Sequence, residues 1–118
     1  MGQSTDAILV WGFDLGDYTD FPEALSDRIE YLTDEGYKEL EALEKSIGVE
    51  LVGHCSGEHR MYIVGVSKTK TLASRGYPVV ITSLKLSIVK AQAALDAFAK
   101  ELGIEPKPGQ WLLASDWS

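Results

Sequence analysis

Residues 48 to 66 read GVELVGHCSGEHRMYIVGV, and the predicted fold is built outward from them. Two runs rich in Val, Ile, Leu and Tyr flank the segment Ser56–His59, and extended strands favour these residue types. Gly57 can adopt the positive φ angle that a tight hairpin turn requires. The pattern therefore predicts a β-hairpin that turns near Gly57.

The alternation of side chains places each hairpin residue on one of two faces. We pair Cys55 with Arg60 across the turn, and successive strand residues then point to opposite sides. One face carries Val49, Leu51, Cys55, Tyr62, Val64 and Val66. The other face carries Val52, His54, Ser56, His59, Met61 and Ile63. Because both faces are largely apolar near the base of the hairpin, we predict that it pairs inside a sheet.

The residues before the hairpin predict one strand and two helices. Ala7–Phe13 is apolar on both faces, which is typical of a strand in the middle of a covered sheet. A first helix is predicted to begin near Pro22, a residue type that suits the first helical turn. Its apolar stripe consists of Leu25, Ile29 and Leu32. A second helix is predicted to begin at Asp34 or Tyr37 and to end before Gly48. Its apolar positions are Tyr37, Leu40, Leu43 (or Glu44) and Ile47.

The residues after the hairpin predict an edge strand and a long helix. Pro78 cannot donate a hydrogen bond to a central ladder, so Val79–Thr82 is predicted to be no more than a short edge strand. A helix is predicted to begin at Thr82 or Ser83 and to end before Gly103. Its apolar stripe consists of Ile88, Ala91, Leu95, Phe98 (or Ala99) and Leu102.

The last predicted element is a strand at Trp111–Trp117, with Trp111 and Leu113 on one face. The order of strands and helices matches the βαββαβ arrangement of the ferredoxin-like motif. A chain of 118 residues is long enough for one core and too short for two. We therefore predict one α+β domain over residues 1–118, with an antiparallel ferredoxin-like sheet. Two main helices cover one face of this sheet, and a short extra strand lies at its edge.

The charge of the chain is distributed unevenly. The net charge is −7, yet residues 1–50 carry thirteen acidic and three basic residues, a charge of −10. Residues 51–118 carry five acidic and eight basic residues, a charge of +3. An acidic surface repels phosphate backbones, so direct nucleic-acid binding is disfavoured. The asymmetry favours a protein partner with a basic surface, and a homodimer stays open.

Membrane insertion and secretion are both disfavoured by the sequence. The longest apolar runs are Ala7–Phe13 and Tyr77–Ile81, far below the roughly 20 residues that cross a bilayer. The first residues lack the basic and then apolar pattern of a signal peptide. A single cysteine suits a reducing compartment. We therefore expect a cytoplasmic protein without a membrane anchor.

The hairpin also gathers the residue types that could carry chemistry. His54 and His59 can share a face, but Cys55 points to the other side, so three metal ligands do not converge from this segment. A catalytic Cys55 would need a base within hydrogen-bond reach, and a buried core position suits a free cysteine better. We therefore predict no metal site and no cofactor, and the sequence favours binding over catalysis.

Two different functions remain open. In the first, the acidic half binds and inhibits a basic host protein, with Trp117 as an exposed aromatic contact. The acidic residues proposed for this contact are Asp14, Asp17, Asp20 and Glu23. In the second, the chain binds a small ligand such as a nucleotide or another anion, or acts on it, near the hairpin. The residues proposed for that site are His54, His59, Arg60 and Arg75.

The chain also resembles a known group of small proteins in several short segments. The resemblance is carried by Thr5-Asp6-Ala7, Gly48-Val49-Glu50-Leu51, His54-Cys55-Ser56, Tyr62-Ile63-Val64, Arg75-Gly76-Tyr77-Pro78, Leu102-Gly103-Ile104 and Trp111-Leu112-Leu113-Ala114-Ser115-Asp116-Trp117. With these segments the chain resembles small hypothetical proteins of actinobacterial phages and prophages. The resemblance covers most of the chain, and the acidic segment Asp14–Glu44 matches least. It implies a phage or prophage setting, and it brings no established activity and no catalytic residues.

Overall fold

The structure of the chain is a computed structural model. The structure describes residues 5–17, 34–56, 60–74, 77–81 and 87–117. The helix predicted to begin near Pro22 and the hairpin turn at Gly57 lie outside these residues. The strands are β1 (Thr5–Asp17), β2 (Val49–Ser56), β3 (Arg60–Val66), β4 (Thr71–Ala73) and β5 (Gln110–Trp117). The helices are α1 (Asp34–Ile47) and α2 (Ile88–Leu102), and a 3-10 turn at Ser67–Thr69 links β3 to β4.

The hairpin prediction is confirmed down to its register. β2 and β3 are antiparallel, and Cys55 lies opposite Arg60. At the other end of the ladder Val49 lies opposite Val66, which places both on the side of the helices. The alternation of apolar side chains was therefore sufficient to assign this pair of strands.

The sheet is mixed and curls back on itself. β1 is antiparallel to β3, β4 and β5, but β2 and β5 are parallel where Cys55 and Ser56 meet Asp116 and Trp117. The pairings thereby form a ring of β1, β3, β2 and β5. The α+β class is correct. The ferredoxin-like order is not confirmed, because that sheet is antiparallel throughout and its edges do not meet.

The length of β1 explains this curvature. It has 13 residues, of which Thr5–Gly12 pair with β5 and Gly12–Asp17 pair with β3. Gly12 takes part in both ladders, and a Cβ atom on it would collide with the backbone carbonyl oxygen of Val64. Only glycine allows the two strands to approach so closely at this point.

Two apolar clusters lie on opposite faces of the sheet. The larger one packs both helices against the sheet, as predicted. Its buried residues are Trp11, Phe13, Leu40, Val49, Val64, Val66, Ala91, Leu95, Phe98, Ala99, Leu102 and Ile104. Among the described residues the smaller one is formed by the strands, and its buried members are Ile8, Val10, Val52 and Ile63. Because the sheet curls, the face opposite α1 and α2 also encloses a core.

The predicted edge strand is wrong. Residues 79–81 are not in a strand, Val80 is 82% exposed, and Thr82 lies outside the described residues. The edge strand is β4, which pairs with Ala7–Leu9 on the same side of β1 as β3. The chain leaves β3, makes the 3-10 turn and continues along β1, so this edge is occupied before Pro78 is reached. β4 has only three residues and one large apolar side chain, so its sequence carries no recognisable strand pattern.

The predicted ends of the second and third helices are confirmed. α1 ends at Ile47 before Gly48, which has a φ of +81°, and α2 ends before Gly103, which has a φ of +72°. α2 begins at Ile88, and Ser87 before it is extended, so the predicted start at Thr82 or Ser83 is wrong; residues 82–86 themselves are not described. Ile88 does not belong to the buried stripe, because it is 64% exposed in the first turn. None of the helices in the described ranges has both the length and the apolarity that a membrane span requires.

The tryptophans of the first and last strands have different surroundings. Trp11 is buried in the larger core, as expected, and Trp111 packs against that core. Leu113 shares the face of Trp111 but is 77% exposed. Leu113 pairs with Leu9, which lies in the half of β1 that precedes Trp11.

Candidate functional site

A cavity of about 500 Å³ opens where α1 meets β2. It is lined by Glu41, Glu44, Lys45, Gly48, Glu50 and Ser67, and we call it the acidic cavity. All of its carboxylates belong to the acidic half of the sequence. They come from the last two turns of α1 and from the start of β2.

The end of α1 brings these groups together. Glu41 and Glu44 are three positions apart, so they lie on neighbouring parts of one helix face. The amide of Gly48 donates to the carbonyl of Glu44 at 2.8 Å, and the left-handed conformation of Gly48 turns the chain directly into β2. The amide of Ser67 donates to the carbonyl of Gly48 at 2.9 Å. This last bond attaches the 3-10 turn to the end of α1.

Glu44 is the most constrained carboxylate of the cavity. The amide of Leu51 donates to Glu44 Oε2 at 2.9 Å. Burial nevertheless raises the pKa of Glu44, and the negative charges of Glu50 and Glu41 raise it further. The Leu51 amide and the Lys70 ammonium act in the opposite direction and do not cancel the effect. The ionised form of Glu44 is therefore held in an unfavourable environment.

The cations near the cavity compensate its charge only in part. Lys70 Nζ lies 3.0 Å from Glu50 Oε2 in a partly buried ion pair. Lys45 Nζ lies 3.2 Å from Glu41 Oε1 in an exposed pair one helical turn apart. Exposed pairs of this kind contribute little to stability and exchange readily with water. Ionised Glu44 thus adds a negative charge that these two lysines do not neutralise.

A second cavity of about 380 Å³ adjoins the first. It is lined by Ile47, Gly48, Val66, Ser67, Lys68, Lys90, Ala91 and Ala94, and we call it the basic cavity. It lies between the end of α1, the 3-10 turn and the first turns of α2. Gly48 and Ser67 line both cavities, so the two are neighbours across this pair of residues.

The ligand residues predicted at the hairpin can be followed only in part. His54 lies on β2 opposite Met61 and is partly buried. Arg60 lies opposite Cys55, but its side chain is not described, and His59 and Arg75 lie outside the described residues. The small-ligand site therefore stays a prediction. Within the described ranges no three His, Cys, Asp or Glu side chains are arranged to hold a metal ion.

Cys55 is not the core residue that the sequence suggested. It has a φ of +78°, is partly exposed, and belongs to neither apolar cluster. A positive φ interrupts the regular pleat, so the alternation of faces stops at Cys55.

The residues predicted to contact a partner lie mainly at the ends of strands. Asp14 is exposed, and its Oδ1 accepts a hydrogen bond from the Gly16 amide at 3.0 Å. Asp17 ends β1 opposite Met61, and Trp117 ends β5 between Thr5 and Ser56. The side chains of Asp17 and Trp117 are not described. Asp20 and Glu23 lie outside the described residues, so their contacts stay predictions.

The sequence did not identify either cavity. In the sequence Glu44 is only an alternative to Leu43 in the apolar stripe of α1. Lys68 is one of four basic residues, with Arg60, Lys70 and Arg75, that could form either an anion site or a solvated basic loop. The useful signal was the spacing of Glu41 and Glu44 next to the helix-ending Gly48. It could not show that β2 would bring Glu50 to the same place.

Comparison of the chain with protein-family models, with curated proteins and with solved structures gives no match.

Proposed function

We propose that this protein is a non-enzymatic binding protein that holds a basic surface of another protein through its acidic half. The observation that carries the proposal is the convergence of Glu41, Glu44 and Glu50 on one cavity. The setting that we propose is the host cytoplasm, where a phage or prophage accessory protein would bind and inhibit a defence or nucleic-acid-binding protein. The resemblance to such phage proteins and the charge of −10 in residues 1–50 support this setting.

The electrostatics of the acidic cavity favour a cation from the partner. An arginine or lysine side chain near Glu44 would offset the repulsion from Glu50 and Glu41. An arginine would add directed hydrogen bonds to a carboxylate. Binding of the cation would lower the pKa of Glu44, so affinity is expected to rise as the pH rises through that pKa.

The test is a titration of the labelled protein with N-acetyl-arginine amide, a minimal cationic probe, followed by nuclear magnetic resonance. We expect the amide signals of Glu44, Gly48 and Glu50 to shift, and the affinity to fall as salt is added. The double variant Glu41→Gln, Glu44→Gln should bind the probe about tenfold more weakly, in keeping with the loss of charged hydrogen bonds.

The matched control is Glu39→Gln, which removes an exposed carboxylate of α1 outside the cavity. It should leave the affinity for the probe unchanged. A loss of binding free energy in the control about half as large as that in the double variant, which removes two charges instead of one, would show that only overall charge matters. Binding that is indifferent to ionic strength would contradict the proposed mode of recognition.

A further inference from the structure

We infer that the basic cavity receives a carboxylate from the same partner segment whose basic side chain enters the acidic cavity. The recognised element is then a short protein segment with a cationic and an anionic residue close together, rather than a polybasic surface. This inference rests on the proposed function and specifies the class of its partner.

The two cavities form one continuous groove of opposite charges. They share Gly48 and Ser67, which are joined by the hydrogen bond from the Ser67 amide to the Gly48 carbonyl. Gly48 has no side chain, and a Cβ atom placed on it would have no neighbour within 4 Å. The boundary between the cavities is therefore low, and a bound segment can cross it.

The lining of the basic cavity suits a carboxylate on a short apolar stem. Lys68 comes from the 3-10 turn and Lys90 from the first turn of α2, so two independent segments supply its positive charge. Both lysines are exposed. Among the described residues, the ion pairs Glu41–Lys45 and Glu50–Lys70 do not involve them. The other wall is apolar and consists of Ile47, Val66, Ala91 and Ala94.

The size of the basic cavity and the charges of the two cavities together favour a partner segment that carries one cationic and one anionic residue. A volume of about 380 Å³ lies within the range of pockets that hold small groups. A second cationic residue of the partner placed here would meet Lys68 and Lys90 and be repelled. Charges of opposite sign in neighbouring cavities therefore select a partner by repulsion as well as by attraction.

The experiment uses three short peptides, acetylated and amidated, on an alanine and serine background. The first carries one arginine and one glutamate, the second replaces the glutamate by glutamine, and the third replaces the arginine by glutamine. Each is made with one to three residues between the two positions. Dissociation constants are measured by nuclear magnetic resonance titration of the full chain at constant pH and salt.

We expect the arginine–glutamate peptide with the best spacing to bind about threefold more tightly than the arginine–glutamine peptide, as exposed ion pairs allow. It should also shift the amide signals of Lys68, Lys90 and Ala91. The double variant Lys68→Gln, Lys90→Gln should abolish the advantage of the glutamate and leave binding of the arginine–glutamine peptide unchanged. The matched control Lys100→Gln, at an exposed position in the last turn of α2, should keep the advantage.

The outcomes separate this inference from the proposed function. Equal affinity of the first two peptides at every spacing would overturn the inference, while the role of the acidic cavity would stand. A glutamate advantage that persists in the double variant Lys68→Gln, Lys90→Gln would also overturn the inference. If neither arginine peptide is weakened by Glu41→Gln, Glu44→Gln, the proposed function fails, and the inference fails with it.

Discussion

Thr69 shows how one polar side chain can connect two strands through the interior. It is 1% exposed, and its Oγ1 accepts a hydrogen bond from the Trp11 amide at 2.9 Å. The same hydroxyl donates to the carbonyl of Val66 at 2.7 Å. Buried backbone groups that lack a partner cost free energy, so this hydroxyl takes the place of a missing strand neighbour between β3 and β4.

Replacing Thr69 by valine should destabilise the fold by about 1–3 kcal/mol, because the buried Trp11 amide loses its acceptor. The free energy of unfolding is measured by urea denaturation. Thr69→Ser is the control, since serine keeps the hydroxyl and should lose less stability than valine. A valine variant as stable as the wild type would contradict this role.

Glu44 is the second residue whose surroundings have a measurable consequence. Burial raises its folded-state pKa above the ordinary value, so the folded state binds its proton more tightly than the unfolded state. The contribution of Glu44 to stability is then fully present below the unfolded pKa and is lost as pH rises through the folded pKa. Ionisation of Glu44 thus destabilises the protein.

The variant Glu44→Gln tests whether ionisation of Glu44 destabilises the folded protein. The amide oxygen of glutamine can still accept the hydrogen bond from the Leu51 amide, but it carries no charge. Relative to the wild type, the variant should gain stability as the pH rises from about 4 to 7. Urea unfolding at several pH values gives the comparison, with Glu39→Gln as the exposed control. A constant difference between variant and wild type would show that the pKa of Glu44 is not raised.

At the level of elements, α2 is attached to the loop before β5 by one side chain. Gln92 Nε2 donates to the carbonyl of Lys107 at 2.9 Å, and the Gly109 amide donates to Gln92 Oε1 at 2.8 Å. A Cβ atom on Gly109 would collide with the indole ring of Trp11, so the loop lies directly on the core. Gln92 therefore sets where β5 begins.

Gln92→Ala should destabilise the protein by about 1–3 kcal/mol, because the partly buried Gly109 amide loses its acceptor. Amide hydrogen exchange at Gly109 should become faster. Asp96→Ala is the matched control. It removes the third partner of Gln92, whose Nε2 lies 3.0 Å from Asp96 Oδ1, and leaves both bonds to the loop intact. Unchanged exchange at Gly109 in Gln92→Ala would disprove the attachment.

At the scale of the whole molecule, one sheet serves two cores. The larger cluster uses the face covered by the helices, and the smaller one is enclosed by the curled strands. β1 supplies Val10 to the smaller cluster and Trp11 to the larger one. Neither core can be lost while the sheet stays intact, so we expect a single cooperative unit.

Leu95→Ala in the larger core and Ile63→Ala in the smaller core should each destabilise the protein by about 2–5 kcal/mol. Both should shift one common transition, followed in parallel by tryptophan fluorescence and far-ultraviolet circular dichroism. Two separated transitions in either variant would show that the cores unfold independently. That result would also contradict the prediction of a single domain.

Local patterns in the sequence were sufficient for several parts of this fold. The register of the hairpin followed from placing the turn at Gly57, which pairs Cys55 with Arg60, and alternation along the strands then assigned the two faces. The ends of α1 and α2 followed from Gly48 and Gly103, since a left-handed residue ends a helix whatever packs around it. These features depend on residues that are near each other along the chain.

Other features arise only when distant segments meet. β4 is a strand because the chain continues along β1 after the 3-10 turn, and the sheet closes because β2 reaches β5. The two cavities likewise need the end of α1, the 3-10 turn and α2 in contact, so composition could indicate the acidic charge but not its site. Periodicity and helix-ending glycines act within a few residues along the chain. Sheet closure needs distant strands to pair, and the raised pKa of Glu44 depends on desolvation and on charges that folding brings together.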